Sequence, residues 1–125
     1  MKISITKTLQ KGVEAHRRGQ FLDADKLYTD ILEVEPKHPD ANHNKGLLAA
    51  RVGNHKMAVK FFKVALNADL TVPQFWLSLH DSLINLNKID EAKTLFLKAK
   101  RKNIDGNILN RMLQQFNTAK IKGIK

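Results

Sequence analysis

Two pairs of glycines stand 34 residues apart in this chain, Gly12 with Gly46 and Gly19 with Gly53. A fixed period of that length constrains the fold more than any local motif, because it means that one supersecondary unit is repeated and stacked on itself. The same step aligns Ala24, Ala58 and Ala92, then Tyr28, Phe62 and Phe96, and more loosely Ile31, Ala65 and Ala99, with no gap. Pro39 and Pro73 also fall in register. Each suits the first turn of a helix, where the missing proline N–H has no partner to lose.

Within each unit, apolar residues recur at three- and four-residue intervals, interrupted by a short polar break at Gly19-Gln20, Gly53-Asn54 or Asn87-Lys88. The pattern predicts two helices per unit, over 5–18 and 21–34, 39–52 and 55–68, and 73–86 and 89–102. A seventh amphipathic segment follows, with Asp105 as N-cap and Ile108, Leu109, Met112, Leu113 and Phe116 on one apolar face. Its outer side carries Asn110, Gln114 and Lys120, as expected of a cap that shields the last stacking face of a solenoid from water. Small residues are expected at helix crossings: Gly12 facing Ala24, and Gly46 facing Ala58, let antiparallel helices approach to about 8–10 Å. Tyr28, Phe62 and Phe96 then fill the wedge between successive units. With 125 residues the expectation is a single domain over 1–120. Its units run over about 5–38, 39–72 and 73–104, its cap over about 105–120, and a basic tail or linker over 121–125.

These residues resemble the tetratricopeptide repeat, a helix-turn-helix unit of the same period. In the first unit Gly12, Gly19, Phe21, Ala24, Tyr28 and Pro36 match the family pattern. Gly46, Gly53, Ala58, Phe62, Ala65 and Leu66 match it in the second unit, and Trp76, Leu79, Ala92, Phe96 and Ala99 in the third. The resemblance implies an all-α, right-handed α-solenoid of three repeats plus a C-terminal capping helix. Some positions depart from the pattern. His80 stands where the family prefers Gly or Ala, Asn42 and Lys45 occupy usually apolar positions, and Leu70 and Ile104 replace the proline that ends a typical unit. His80 reads as a partly buried, tolerated histidine, and Trp76 as a core residue within its repeat.

The resemblance also implies a function: a non-catalytic protein–protein interaction scaffold that holds a peptide segment of a partner in a concave groove lined by the first helix of each pair. Carried over residue by residue, the groove positions are Gln10, Val13, Arg17, Asn44, Leu47, Arg51, Ser78, Asp81 and Asn85. Arg17 and Arg51, one repeat apart, suit carboxylates or phosphates. A subgroup of the family grips the Glu-Glu-Val-Asp tail of heat-shock chaperones with two lysines, two asparagines and an arginine. Only Asn44 of that clamp is present; Leu9, Val13, Gln74 and Ser78 stand at the other positions, which argues against capture of that tail. Asn44 is also similar to the groove asparagine ladder of protein O-linked N-acetylglucosamine transferases, which Gln10 and Ser78 interrupt here. Bacterial chains with such repeats commonly continue into an enzyme, so one form of the expectation makes this chain the N-terminal module of a larger bacterial enzyme.

Charge supplies the alternative reading. Twenty-two Lys and Arg against twelve Asp and Glu give a formal net charge of +10, which biases the chain toward acidic or polyanionic partners. Lys98, Lys100, Arg101, Lys102, Lys120 and Lys122 form a basic cluster suited to nucleic acid or another polyanion. Two observations weigh against that reading: cations at a helix C-terminus complement its macrodipole, and no aromatic residues interleave for base stacking. The genome offers a third source of lysine, since AT-rich bacterial coding sequence favours it.

No GxGxxG or phosphate-cradling loop occurs, and the only serines are Ser4, Ser78 and Ser82, so no catalytic constellation or cofactor is expected. The chain has no cysteine, and His16, His38, His43, His55 and His80 form no HExxH pair, so no metal site is expected either. His38-Pro39-Asp40 is similar to the signature loop of J-domain cochaperones but lies between two units, where proline and aspartate start a helix. Without an apolar leader or an eighteen-residue apolar run, the expected location is cytoplasmic. Self-association through a solenoid end is compatible with the sequence.

Overall fold

The computed structural model describes residues 3–121; Lys122 and the end of the basic tail lie outside the described residues, as do the side chains of Lys120 and Ile121. Seven helices run α1 (Ile5–Arg17), α2 (Phe21–Val34), α3 (Pro39–Arg51), α4 (His55–Ala68), α5 (Pro73–Asn85), α6 (Ile89–Arg101) and α7 (Gly106–Ile121). No strand occurs among the described residues. Helices α1 to α6 pack chiefly on their sequence neighbours, as in an all-α solenoid, whereas α7 packs chiefly on α5.

Local chemistry sets the helix ends. Gly19 and Gly53 close α1 and α3 with φ of +78° and +82°, a left-handed conformation that costs glycine nothing. Asn87 takes the corresponding place after α5 with φ of 59°, and Asn103 repeats it after α6 with φ of 57°. The period thus preserves a backbone conformation, and asparagine is among the few residues besides glycine that tolerate it. At the N-termini, the Ser4 hydroxyl accepts from the Lys7 N–H at 3.3 Å and the Asn54 side-chain oxygen from the Met57 N–H at 3.1 Å. The Asp105 carboxylate accepts from the Asn107 N–H at 2.8 Å, the capping role expected of it. In the His38-Pro39-Asp40 stretch the cap is the histidine, whose Nδ1 accepts from the Ala41 N–H at 3.1 Å. Pro39 opens the helix and Asp40 sits in its first turn.

The packing of the small residues corrects the sequence expectation. A Cβ added to Gly12 would come within 2.6 Å of the Tyr28 ring, and one added to Gly46 closer still to Phe62. Gly12 and Gly46 therefore seat the aromatic ring of their own helix pair, not Ala24 or Ala58. Tyr28 and Phe62 lie inside the pair and are fully buried. His80 stands at the corresponding position of α5 and leaves no such seat, and Phe96 is only half-buried. The imidazole is itself fully buried, not partly so. Its Nδ1 pairs with the Gln115 side-chain oxygen, and its ring stands perpendicular to that of Phe116, with centroids 4.6 Å apart. Phe96 meets the same Phe116 ring at 6.1 Å. This aromatic group holds α7 mainly against α5 and less against α6.

The other departures from the repeat pattern find partners of their own. Asn42, 3% exposed, donates through Nδ2 to the Pro36 and His38 carbonyls at 3.0 and 2.9 Å, tying the linker between α2 and α3. Lys45 reaches back to α2, where it meets Asp25 at 3.1 Å and donates to the Thr29 hydroxyl at 2.8 Å. Trp76 is fully buried, and its indole N–H donates to the Leu70 carbonyl at 3.0 Å, so the leucine in place of proline still anchors the turn. The main core runs from α4 to α7, centred on α5, and a smaller one at α1 and α2 comprises Ala15, Ala24 and Tyr28 with Leu9 and Leu48 packed on it.

Candidate functional site

The first helices α1, α3 and α5 carry the expected binding residues, and the fold treats them unequally. Val13 and Arg17 lie exposed on one face of α1. Arg17 donates through Nε to a Glu14 oxygen at 3.1 Å, and Arg18 to the other at 2.9 Å. The Arg17 hydrogen bonds hold the Glu14 carboxyl below its ordinary pKa. Asn44 and Leu47 are half-buried on α3. Asp81 and Asn85 are exposed on α5, where Asn85 donates through Nδ2 to the Asp81 carbonyl at 2.8 Å.

Three expected positions are placed elsewhere. Ser78 is buried, and its hydroxyl lies 2.8 Å from His43 Nε2, so it joins α5 to α3 instead of facing a ligand. Burial among Phe62, Phe75 and neighbouring side chains lowers the His43 pKa to about 4, against the opposing charge of Asp40. The imidazole is therefore neutral at pH 7, matching a bond to an uncharged hydroxyl. Gln10 lines a separate open cleft between α1 and α2, with Lys11, Arg18 and Asp23 among its walls. Arg51 turns its guanidinium over the Phe21 ring, 4.1 Å from the centroid, and so points toward the start of α2.

Asp81 and Asn85 are brought together with polar residues of α7. A cleft of about 530 Å³ between α5 and α7 is lined by both of them and by Arg111, Gln114, Gln115 and Thr118. Gln114 was expected on the outer side of the cap. Because His80 and Phe116 draw α7 across α5, its polar face instead becomes the second wall of a cleft. The signal was present as a run of polar residues on one face of an amphipathic helix, but which neighbour that face would meet depends on the buried histidine. The cleft offers one carboxylate, one guanidinium, three carboxamides and a hydroxyl, a set that pairs with peptide N–H and C=O groups and with side chains of either charge. Among the described residues no group of His, Asp or Glu is placed to hold a metal ion, and no helix is long and apolar enough to cross a membrane.

The basic cluster is placed in part. Lys98, Lys100, Arg101 and Lys102 are exposed around the end of α6, and no carboxylate among the described residues pairs with them. Lys120 and Lys122 lie outside the side chains the structure describes.

Residues 39–71 match the family model described as tetratricopeptide repeat. A human relative, tetratricopeptide repeat protein 7A, is 28% identical over 89 residues; the match covers 71% of this chain, and the chain spans only 10% of that protein. The TPR2B domain of yeast Sti1, solved in complex with pHsp70, superposes with a TM-score of 0.80 at 16% identity, covering 94% of this chain and 97% of that one. The first TPR of Spaghetti (RPAP3), solved with the HSP90 peptide SRMEEVD, gives a TM-score of 0.76 at 16% identity, covering 91% of each chain. At such identities the structural likeness speaks for the fold.

Proposed function

We propose that the chain, which resembles the tetratricopeptide-repeat family in its family-model match and its human relative, is a non-catalytic interaction scaffold that binds a peptide segment of a partner protein along α1, α3 and α5. The observation that carries this reading is the cleft between α5 and α7, which presents Asp81, Asn85, Arg111, Gln114, Gln115 and Thr118 to one space. Amide and hydroxyl groups suit a peptide backbone, and Val13 and Leu47 add apolar contact further along. The peptide complexes of the two solved structures support the same use of the fold. The ligand is not the acidic chaperone tail, because Leu9, Val13 and Gln74 cannot supply the clamp's charges and Ser78 is taken by His43. We divide the domain into three repeats over 5–38, 39–72 and 73–104 with a cap over 105–120. Bacterial chains with such repeats commonly continue into an enzyme, and we extend the proposal to a cytoplasmic, N-terminal module of a larger bacterial enzyme.

The exposed Lys98, Lys100, Arg101 and Lys102, with which no carboxylate among the described residues pairs, favour one second reading, a polyanion-binding surface at the end of α6. A pull-down at about 50 and 200 mM salt separates the two, because binding to phosphates weakens steeply with salt while a hydrogen-bonded peptide loses much less. The proteins compared are the wild type, Asn85→Ala/Arg111→Ala and Lys100→Glu/Lys102→Glu. The scaffold reading expects a protein retained at the higher salt and lost with the cleft variant. Nucleic acid lost at the higher salt and with the lysine variant would replace that reading with the electrostatic one.

A further inference from the structure

Three exposed large apolar side chains gather at one edge of the molecule, among them Leu22 and Val52, the two most exposed among the described residues. Leu22, 89% exposed, Val52, 80%, and Met57, 41%, stand around a cleft of about 430 Å³ that Phe21, Leu48 and Phe61 also line. It is built by the start of α2, the end of α3 and the start of α4, and shares no residue with the α5–α7 cleft. Single exposed apolar residues are ordinary on a protein surface, but a contiguous apolar concavity marks a contact surface.

Cations frame this cleft. Lys45 is neutralised by Asp25 and sits 5.4 Å from the Phe61 ring centre. Arg51 covers Phe21, and among the described residues no carboxylate reaches Arg51, Lys56 or Lys60. On α4, Met57 and Phe61 line the cleft while Ala58 and Phe62 are buried in the core. Each residue advances about 100° around a helix, so the row Lys56–Lys60 lies on the opposite side of Met57 and Phe61 from that core, at the solvent rim. Both lysines are exposed.

We propose that this edge cleft is a second docking site, for an amphipathic segment of a partner protein whose apolar side chains enter among Leu22, Val52 and Met57 and whose carboxylates meet Arg51, Lys56 and Lys60. Charge complementarity selects that occupant. A second copy of the chain would bring two such cationic rims together in a protein of net charge +10. A lipid bilayer offers no projecting side chains to fill a concavity.

The test titrates isotope-labelled full chain by NMR with two synthetic amphipathic peptides of about 14 residues, Leu and Phe at i, i+3, i+4 and i+7, one with Glu and one with Lys elsewhere. Phosphatidylserine vesicles and a protein dilution series run in parallel. The acidic peptide is expected to shift amides around Leu22, Leu48, Val52 and Met57 and to bind at least about tenfold more tightly than the basic one. Leu22→Ser/Val52→Ser, at positions too exposed to carry the fold, is expected to weaken it about tenfold, and Lys56→Glu/Lys60→Glu to weaken it and flatten its salt dependence. Several outcomes overturn the proposal: no binding of the acidic peptide at about 1 mM, unchanged binding by the Leu22→Ser/Val52→Ser protein, or shifts centred instead on Val13, Asn44 and Asp81. Vesicle binding that the same double variant abolishes would assign the patch to lipid, and a dimer that it abolishes would assign it to a second copy.

Discussion

At the scale of single residues, the fold depends on one contact made twice, an aromatic ring lying on a glycine. Adding a methyl group at Gly46 gains about 1 kcal/mol of helix propensity. It also drives a Cβ into the Phe62 ring, which has no exposed side toward which to move. Overpacking of that kind costs about 1–3 kcal/mol. Gly46→Ala is therefore expected to lose up to about 2 kcal/mol net in urea denaturation; a stabilised variant would contradict the packing. Buried histidines set the response to acid. His43 has its pKa lowered to about 4, and burial also lowers His80 and His16. Below its ordinary 6.5 the unfolded chain takes up a proton that the folded imidazole refuses, so stability falls as pH drops from about 6.5 to about 4 and levels off beneath. For His43 alone the loss is at most about 3 kcal/mol. Thermal unfolding across that range should show the decline, with a shallower slope for His43→Asn; a midpoint constant from pH 7 to pH 4 would contradict a neutral, buried imidazole.

At the scale of the element, α7 acts as more than a solvating cap. Its position is fixed by His80, Gln115, Phe116 and Phe96, and its polar face completes the cleft with α5. Removing the ring that His80 and Phe96 both touch should release the helix while leaving the earlier pairs intact. Phe116→Ala is expected to cost about 2–3 kcal/mol, less than a fully buried phenylalanine because the ring is half-buried. Hydrogen exchange should accelerate in α7 and leave α3 and α4 protected. Uniform acceleration through all helices would mean that α7 is an inseparable part of one cooperative core. The individual helices are legible because capping residues, prolines and apolar spacing are local: all six helices of the three units end within one residue of the expectation. The seat of α7 is not, because it depends on which long-range neighbour pairs with Nδ1 of a buried imidazole, and no local pattern encodes that choice.

At the scale of the whole molecule, apolar burial is graded. The α4–α7 end shares one large core, while α1 and α2 close on Ala15, Ala24 and Tyr28 with few partners. A solenoid's stability is roughly a sum of units and nearest-neighbour interfaces, so local opening should follow that gradient. Native-state hydrogen exchange is expected to find α1 and α2 opening at lower free energy than α4 and α5. Equal protection at both ends would show that the interface across Leu48 and Lys45 couples the first pair fully to the rest.

The sequence by itself determined the repeat. A period of 34 residues, kept by glycine or asparagine at Gly19, Gly53 and Asn87, admits only the left-handed turn that these residues tolerate and the helices on either side of it. It also determined that first-helix positions would be polar and apolar in mixture, because each side chain's identity is a local property. Tertiary structure decided which of them a ligand can reach. Ser78 is consumed by His43, Arg51 turns over Phe21 into the edge cleft, and Gln10 faces another cleft, whereas Asp81 and Asn85 gain a second wall from α7. It likewise gathered Leu22, Val52 and Met57, thirty-five residues apart at their extremes, around one cleft. Those outcomes depend on competition among distant side chains for the same partner, and that competition is resolved only when the helices pack.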